Sequence, residues 1–272
     1  MKNNNRHLIA LDLDGTLLTS KKEISDTTKQ VLIQAIDEGH IVVIATGRSH
    51  RTSSLYYDTL RLSTPIINNN GAFIHHPKDK SFGSYHQPLP HQTALAVVDA
   101  CYELDVENII AQMFDSVLID RHNDSILNVF NSAGDPSLKI GKLKNILETD
   151  PTALLIHPKQ EQVKKLNDHL NDYHAEVISH RTWAAPWNII EIVKKGLSKA
   201  VGLEKVSNYY NIPRENIIAF GDEDNDLEMI EYAGVGVAME NGIKQLKSVA
   251  NHVTNTNDQD GIGVFLKDYL KI

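Results

Sequence analysis

The stretch that most constrains the fold is LIALDLDGTLL at residues 8–18, an unbroken apolar run that stops at Asp12, offers a second carboxylate at Asp14 and turns at Gly15. Leu8, Ile9, Ala10 and Leu11 show no polar alternation, which suits a strand buried on both faces, as in a parallel sheet covered by helices. In open sheets of that kind ligands bind beyond the carboxyl ends of the strands, so the two acids are expected in a crevice. Taken alone, the segment equally suits a plain strand-to-turn transition, because Asp and Gly are ordinary turn residues.

The same grammar recurs along the chain. Residues 41–45 run into Thr46-Gly47-Arg48, residues 65–67 into Asn68, Asn69, Asn70 and Gly71, and residues 217–220 into Gly221-Asp222. After the first run, Ser25 suits a helix N-cap, Val31, Leu32, Ala35 and Ile36 keep helical spacing, and Gly39 closes the helix. This βαβαβ alternation predicts an α/β fold, a Rossmann-like doubly wound parallel sheet. From about residue 85 the texture changes. Pro88 and Pro90 punctuate, and helices are expected over 92–104, 125–132 and 160–170. Strands are expected over 109–112, 117–120, 153–156 and 176–178, the first two close enough for a hairpin. Hairpins mixed with helices predict an inserted α+β module. The alternation returns near Ile189. Ser198 could cap a helix carrying Lys199, Val201, Leu203 and Val206, followed by a strand at 217–220, a helix at 225–232, a strand at 235–238 and a closing helix at 261–270. The expected division is a core of 1–82 and 189–272 around an inserted domain of 83–188.

At 272 residues the chain can bury a sizeable core. Its formal net charge is -8, without a Lys/Arg run, so nucleic acid is not an expected partner. Cys101 is the only cysteine, which leaves no intramolecular disulfide and no cysteine-rich zinc site, and fits the cytoplasm. The first apolar run is too short for a signal peptide or a membrane span, so no membrane partner is expected. There is no GxxxxGK[ST], and Gly234-Val235-Gly236 lacks the third glycine of a dinucleotide fingerprint, so neither nucleotide class is supported. The thirteen histidines are scattered. Trp183 and Trp187, either side of Pro186, are expected to pack the return to the first module.

If the strands run parallel, Asp12, Asp14, Thr46, Asp222, Asn225 and Asp226 converge on one rim. Clustered carboxylates repel, so such a site needs a cation, and a small all-oxygen set suits Mg2+ completed by a substrate phosphate. A calcium loop at 222–226 fails, because Leu227 stands where glycine is needed and Ala233 where the bidentate Glu is needed. Lys199 falls in a first helical turn, where the macrodipole disfavours a cation. Alone it reads as a solvated surface residue. Beside a metal and the Thr46 hydroxyl, its ammonium could balance the charge of a phosphoryl group in transfer.

DLDGTLL at 12–18, ATGR at 45–48, KGLSK at 195–199 and GDEDND at 221–226 resemble, in order and spacing, the four motifs of haloacid-dehalogenase-superfamily phosphatases. NNGAFI at 69–74, GVAMENG at 236–242 and VTNTNDQDGIG at 253–263 further resemble the Cof-type subfamily, whose subclass IIB α/β cap is inserted between the second and third motifs. The resemblance implies that Asp12 is the nucleophile forming an aspartyl-phosphate, and that Asp14 protonates the leaving alcohol and later activates water. It implies Mg2+ on the Asp12 carboxylate, the Asp14 backbone carbonyl and Asp222, with Asp226 in support. Thr46, Gly47 and Lys199 would hold the phosphoryl oxygens, and Asn225 would help position substrate or Lys199. Asp14, with a proton to give, favours phosphate monoesters over dehalogenase, phosphonatase or transport-ATPase chemistry. The expected function is therefore a Mg2+-dependent phosphomonoester hydrolase acting on small phosphorylated metabolites, such as sugar phosphates or phosphorylated cofactor precursors, a riboflavin precursor among them. Alternatives from other classes are a phosphomutase with the same core and a non-catalytic phosphometabolite-binding protein. Specificity is expected in cap loops whose closure would exclude water.

Overall fold

The computed structural model describes residues 6–124, 127, 137–183 and 188–272. In chain order its strands are β1 (Leu8–Leu11), β2 (Ile41–Ile44), β3 (Ile66–Asn68), β4 (Phe73–His75), β5 (Ser84–His86), β6 (Asn108–Gln112), β7 (Val117–Ile119), β8 (Leu138–Ile140), β9 (Ala153–His157), β10 (Ile178–Thr182), β11 (Ile190–Lys194), β12 (Ile217–Gly221), β13 (Val235–Met239) and β14 (His252–Thr254). The chain divides into two compact units, one of Met1–Tyr85 with Ser198–Ile272 and the other of His86–Leu197.

The first unit is built on a parallel sheet of order β14-β13-β12-β1-β2. Successive side chains of a strand point to opposite faces, so a run that is apolar at every position must be covered on both. Ile9, Leu11, Val42, Ile44, Ile218 and Phe220 pack on one face, with Val31 and Leu32 of helix Asp26–Asp37 and Ile262 and Leu266 of helix Gly261–Leu270. Leu8, Ala10, Ile41, Val43, Ile217 and Ala219 pack on the other, with Leu203 and Val206 of helix Lys199–Tyr210. Doubly wound packing thus accounts for the missing alternation. Register then sets the rim. Leu11 is level with Ile44 on one side and Phe220 on the other, so the residues after these three strands emerge at one edge. A parallel bridge between Ala45 and Ile67 brings the end of β3 to the same edge.

The second unit carries a sheet of order β10-β11-β9-β6-β7-β8, antiparallel apart from the β7–β8 pair. Helices His91–Glu103 and Val163–His174 pack on one face through Val97, Val98, Leu166 and Leu170. The β6–β7 hairpin matches the sequence expectation. The expected boundary at 188/189 differs from the structure, because β11 lies between β10 and β9 in this sheet and the unit extends to Leu197. Its IEIVK run looks like a return of the core rhythm, yet it is an antiparallel central strand whose both faces are covered. Trp183 packs within this unit beside Ile110 and Leu155 and donates from Nε1 to Glu191 Oε2 at 3.1 Å. The expected helix at 125–132, apart from Leu127, and Trp187 lie outside the described residues. Among the described residues no helix is long and apolar enough to cross a membrane.

Candidate active site

Asp12 leaves β1 with its backbone N–H donating to the Phe220 carbonyl at 3.2 Å, and Thr46 leaves β2 with its N–H on the Ile67 carbonyl at 2.9 Å. Both side chains are buried. Lys199 follows the N-cap Ser198 as the first residue of its helix. Its ammonium is fully buried, 2.7 Å from Asp12 Oδ1 and 2.7 Å from Asp226 Oδ1, which replaces the surface role that the residue suggests in isolation. The dipole penalty at a helix start is small against two direct carboxylate partners. Asp226 is committed on its other oxygen as well, since Oδ2 accepts from the Asp222 and Glu223 N–H groups at 3.0 and 3.1 Å. Thr16 donates to Asp222 Oδ1 at 2.7 Å. Gly15 has φ +80°, and a Cβ there would lie 2.1 Å from Asp222 Oδ2, so this turn requires glycine for both its backbone and its space.

Oxygens of Asp12, Asp222 and Asp226 lie within 4.8 Å of one another, three buried carboxylates around a single ammonium. Burial is the main force raising the Asp12 carboxyl to about 7, and the Asp226 charge adds to it, together outweighing Lys199. Asp222 is raised to about 8 by burial and by the charges of Asp12 and Asp226. Lys199 is held protonated against its own burial by Asp12 and Asp226. The cluster carries more negative charge than its own cation balances, and its donors are hard oxygens. The residues present therefore fit a metal ion, which would take the place of the protons that burial otherwise recruits.

Asp14 stands apart from that trio. Its side chain is 42% exposed and is gripped by Arg48 through Nε–Oδ2 at 2.6 Å and a second bond to Oδ1 at 2.7 Å, and by Lys22 at 2.8 Å. Burial alone would raise its carboxyl, but the bonds and charges of Arg48 and then Lys22 pull it down to about 2. The Tyr56 hydroxyl donates to the Lys22 carbonyl at 3.0 Å, and the Arg48 guanidinium sits 5.3 Å from the Tyr56 ring centre. Thr46 Oγ1 accepts from the Arg48 N–H at 3.1 Å. Asn225 Nδ2 donates to Asn70 Oδ1 at 2.9 Å, beside Gly47.

All expected site residues thus belong to one unit, where all but Lys199, at the start of its helix, follow strands of the parallel sheet. Sequence reasoning assigned no role to Arg48, Asn70, Thr16 or Lys22. Arg48 and Asn70 stand in polar clusters at strand ends, a signal that was present. Thr16 and Lys22 have no such mark, because their reach depends on the fold of the loop after Asp14.

The haloacid dehalogenase-like hydrolase family matches residues 9–266. The chain is 50% identical over 266 residues to the 5-amino-6-(5-phospho-D-ribitylamino)uracil phosphatase YitU of Bacillus subtilis strain 168, with 98% of each chain covered. Among solved structures, a haloacid dehalogenase-like hydrolase from Bacteroides thetaiotaomicron matches with a TM-score of 0.85 at 26% identity, over 97% of this chain and 99% of that one. The subclass IIB sugar phosphatase BT4131 shares the fold, with a TM-score of 0.82 at 22% identity over 98% and 100% of the two chains. Three motifs at strand ends of a doubly wound sheet, a fourth leading into helix Lys199–Tyr210, an inserted α+β cap and these likenesses agree, and the chain belongs to the haloacid dehalogenase-like hydrolases as a Cof-type phosphatase.

Proposed function

We propose that this phosphatase is Mg2+-dependent, works through an aspartyl-phosphate on Asp12, and hydrolyses 5-amino-6-(5-phospho-D-ribitylamino)uracil, a phosphorylated cofactor precursor of the riboflavin pathway. The chemistry rests on the buried Asp12–Lys199–Asp226 cluster with Asp222 beside it. The substrate rests on the 50% identity to a phosphatase of that compound over 98% of both chains.

In this reading an Asp12 carboxylate oxygen bonds to phosphorus as the bond to the leaving alkoxide breaks, and the alkoxide takes the Asp14 proton. Water then attacks phosphorus, Asp14 accepts its proton, the bond to Asp12 breaks, and phosphate leaves. Mg2+ on Asp12, Asp222 and the Asp14 carbonyl would supply the charge that lets a carboxylate approach a phosphate. Thr46, Gly47 and Lys199 would receive the phosphoryl oxygens, with Asn225 alongside. Asp226, with both oxygens engaged, supports the site by holding Lys199 and the 222–223 backbone rather than by a free donor. Pinned by Arg48 and Lys22, Asp14 is a carboxylate suited to the water step, and donation in the first step needs that grip loosened.

The test is phosphate release from 5-amino-6-(5-phospho-D-ribitylamino)uracil against pyridoxal phosphate and hexose phosphates, with Mg2+ present. The ribitylaminouracil phosphate is expected to lead in kcat/KM by at least about tenfold. A different phosphomonoester with the highest kcat/KM would overturn the substrate assignment while leaving the chemistry standing.

A further inference from the structure

We infer that Asn70 is a positioning residue of the phosphoryl site, acting through Asn225, on a left-handed turn that registers three of the site's segments against one another. Asn69 (φ 49°), Asn70 (φ 51°) and Gly71 (φ 91°) are left-handed in succession, directly after β3. Asn tolerates that region better than other non-glycine residues, yet two strained residues in a row persist only where their surroundings over-determine them. The surroundings here are the site itself. The Asn69 N–H donates to the Arg48 carbonyl and the Asn70 N–H to the Thr46 carbonyl, each at 3.1 Å, so the turn is tied to both ends of the Thr46-Gly47-Arg48 loop. At Gly71 a Cβ would lie 2.4 Å from the Ser198 carbonyl oxygen, so the turn's backbone abuts the N-cap that places Lys199. From this anchored backbone the buried Asn70 side chain takes the Asn225 amide at 2.9 Å and lies over Gly47, 3.3 Å from where a Cβ there would stand.

The physical consequence is pre-organisation. With its Nδ2 committed to Asn70, the Asn225 amide keeps one orientation beside Gly47 before any ligand arrives, so that ordering cost is not met at binding. The inference rests on the proposed role of Asn225 at the phosphoryl group.

A double-mutant cycle tests it, with Asn70→Gly, Asn225→Ala and the pair, read as kcat/KM on an aryl phosphate and as inhibition by inorganic phosphate. Glycine adopts φ near +50° without strain, so the turn survives and only the amide is lost. Each single variant is expected to lower kcat/KM and weaken phosphate inhibition by about tenfold, the scale of one positioning hydrogen bond, and the pair to be no worse than Asn225→Ala alone. Losses that multiply in the pair, or an Asn70→Gly enzyme indistinguishable from the unsubstituted one, would overturn the inference and leave the Asn225 role intact. An Asn225→Ala enzyme with no loss would overturn both. If the glycine variant does not fold, Asn70→Ser, too short to reach Asn225, completes the same cycle.

Discussion

At Asp222 the proposed metal-binding role and the stability of the fold oppose each other. Its carboxyl is raised to about 8 from an ordinary value of 3.8, so the folded state resists ionising it. The sign follows from linkage. Below about pH 4 the group is protonated in folded and unfolded chains alike and costs nothing, and the penalty grows as pH rises through the interval up to about 8. Asp222→Asn keeps an acceptor for Thr16 and removes the charge. The cation-free variant should therefore unfold at higher denaturant than the unsubstituted protein at pH 8, by about 1–3 kcal/mol, and match it at pH 4. Equal stability at both values would refute the electrostatic account. Activity should disappear in the same variant. At Asp14 the expectation concerns leaving groups: Asp14→Asn should cost alkyl phosphates the ~10²- to 10⁴-fold of acid–base catalysis and an aryl phosphate less in its first step. An equal loss on both, measured by single-turnover kinetics, would contradict the acid role.

Elements make these residues meet, and here the sequence was legible to different depths. β1, β2 and β12 announce themselves because doubly covered strands are apolar throughout, and closing helix Gly261–Leu270 agrees with its expected bounds. β11 misled for the same physical reason: periodicity reports burial on both faces but not which sheet does the burying. Lys199 was legible only in company, since a lysine one residue into a helix has no mark that it is sealed between two aspartates. The Arg48 and Lys22 grip on Asp14 was invisible, because it needs the path of the loop from Thr16 to Glu23. One prediction belongs to the turn after Asp14. Gly15→Ala forces a Cβ against Asp222 Oδ2 at a φ of +80°, and should destabilise by roughly 2–3 kcal/mol in denaturant unfolding while displacing a proposed ligand. Wild-type stability and Mg2+ response in that variant would count against the close approach.

For the molecule as a whole, the proposed cation site in the carboxylate cluster would link metal binding to stability. A ligand that binds only the folded state stabilises it by mass action, and protons compete with it for Asp12 and Asp222, at about 7 and 8. Mg2+ should therefore raise the thermal midpoint more at pH 8 than at pH 5, with a chelator reversing the gain. An increment that is flat with pH would mean that the cation binds elsewhere. The other unit should not share this response, since its apolar core is its own.

In the proposed reaction Asp12 takes the phosphoryl group. The decisive experiment mixes enzyme and substrate, quenches in acid on the millisecond scale and maps the phosphoryl adduct by peptide mass spectrometry, with Asp14→Asn used to slow the water step. An acid-stable, hydroxylamine-labile phosphoryl group is expected on Asp12 before phosphate appears. A phosphoryl group on another residue, or full phosphate release from an enzyme never modified at Asp12, would contradict it.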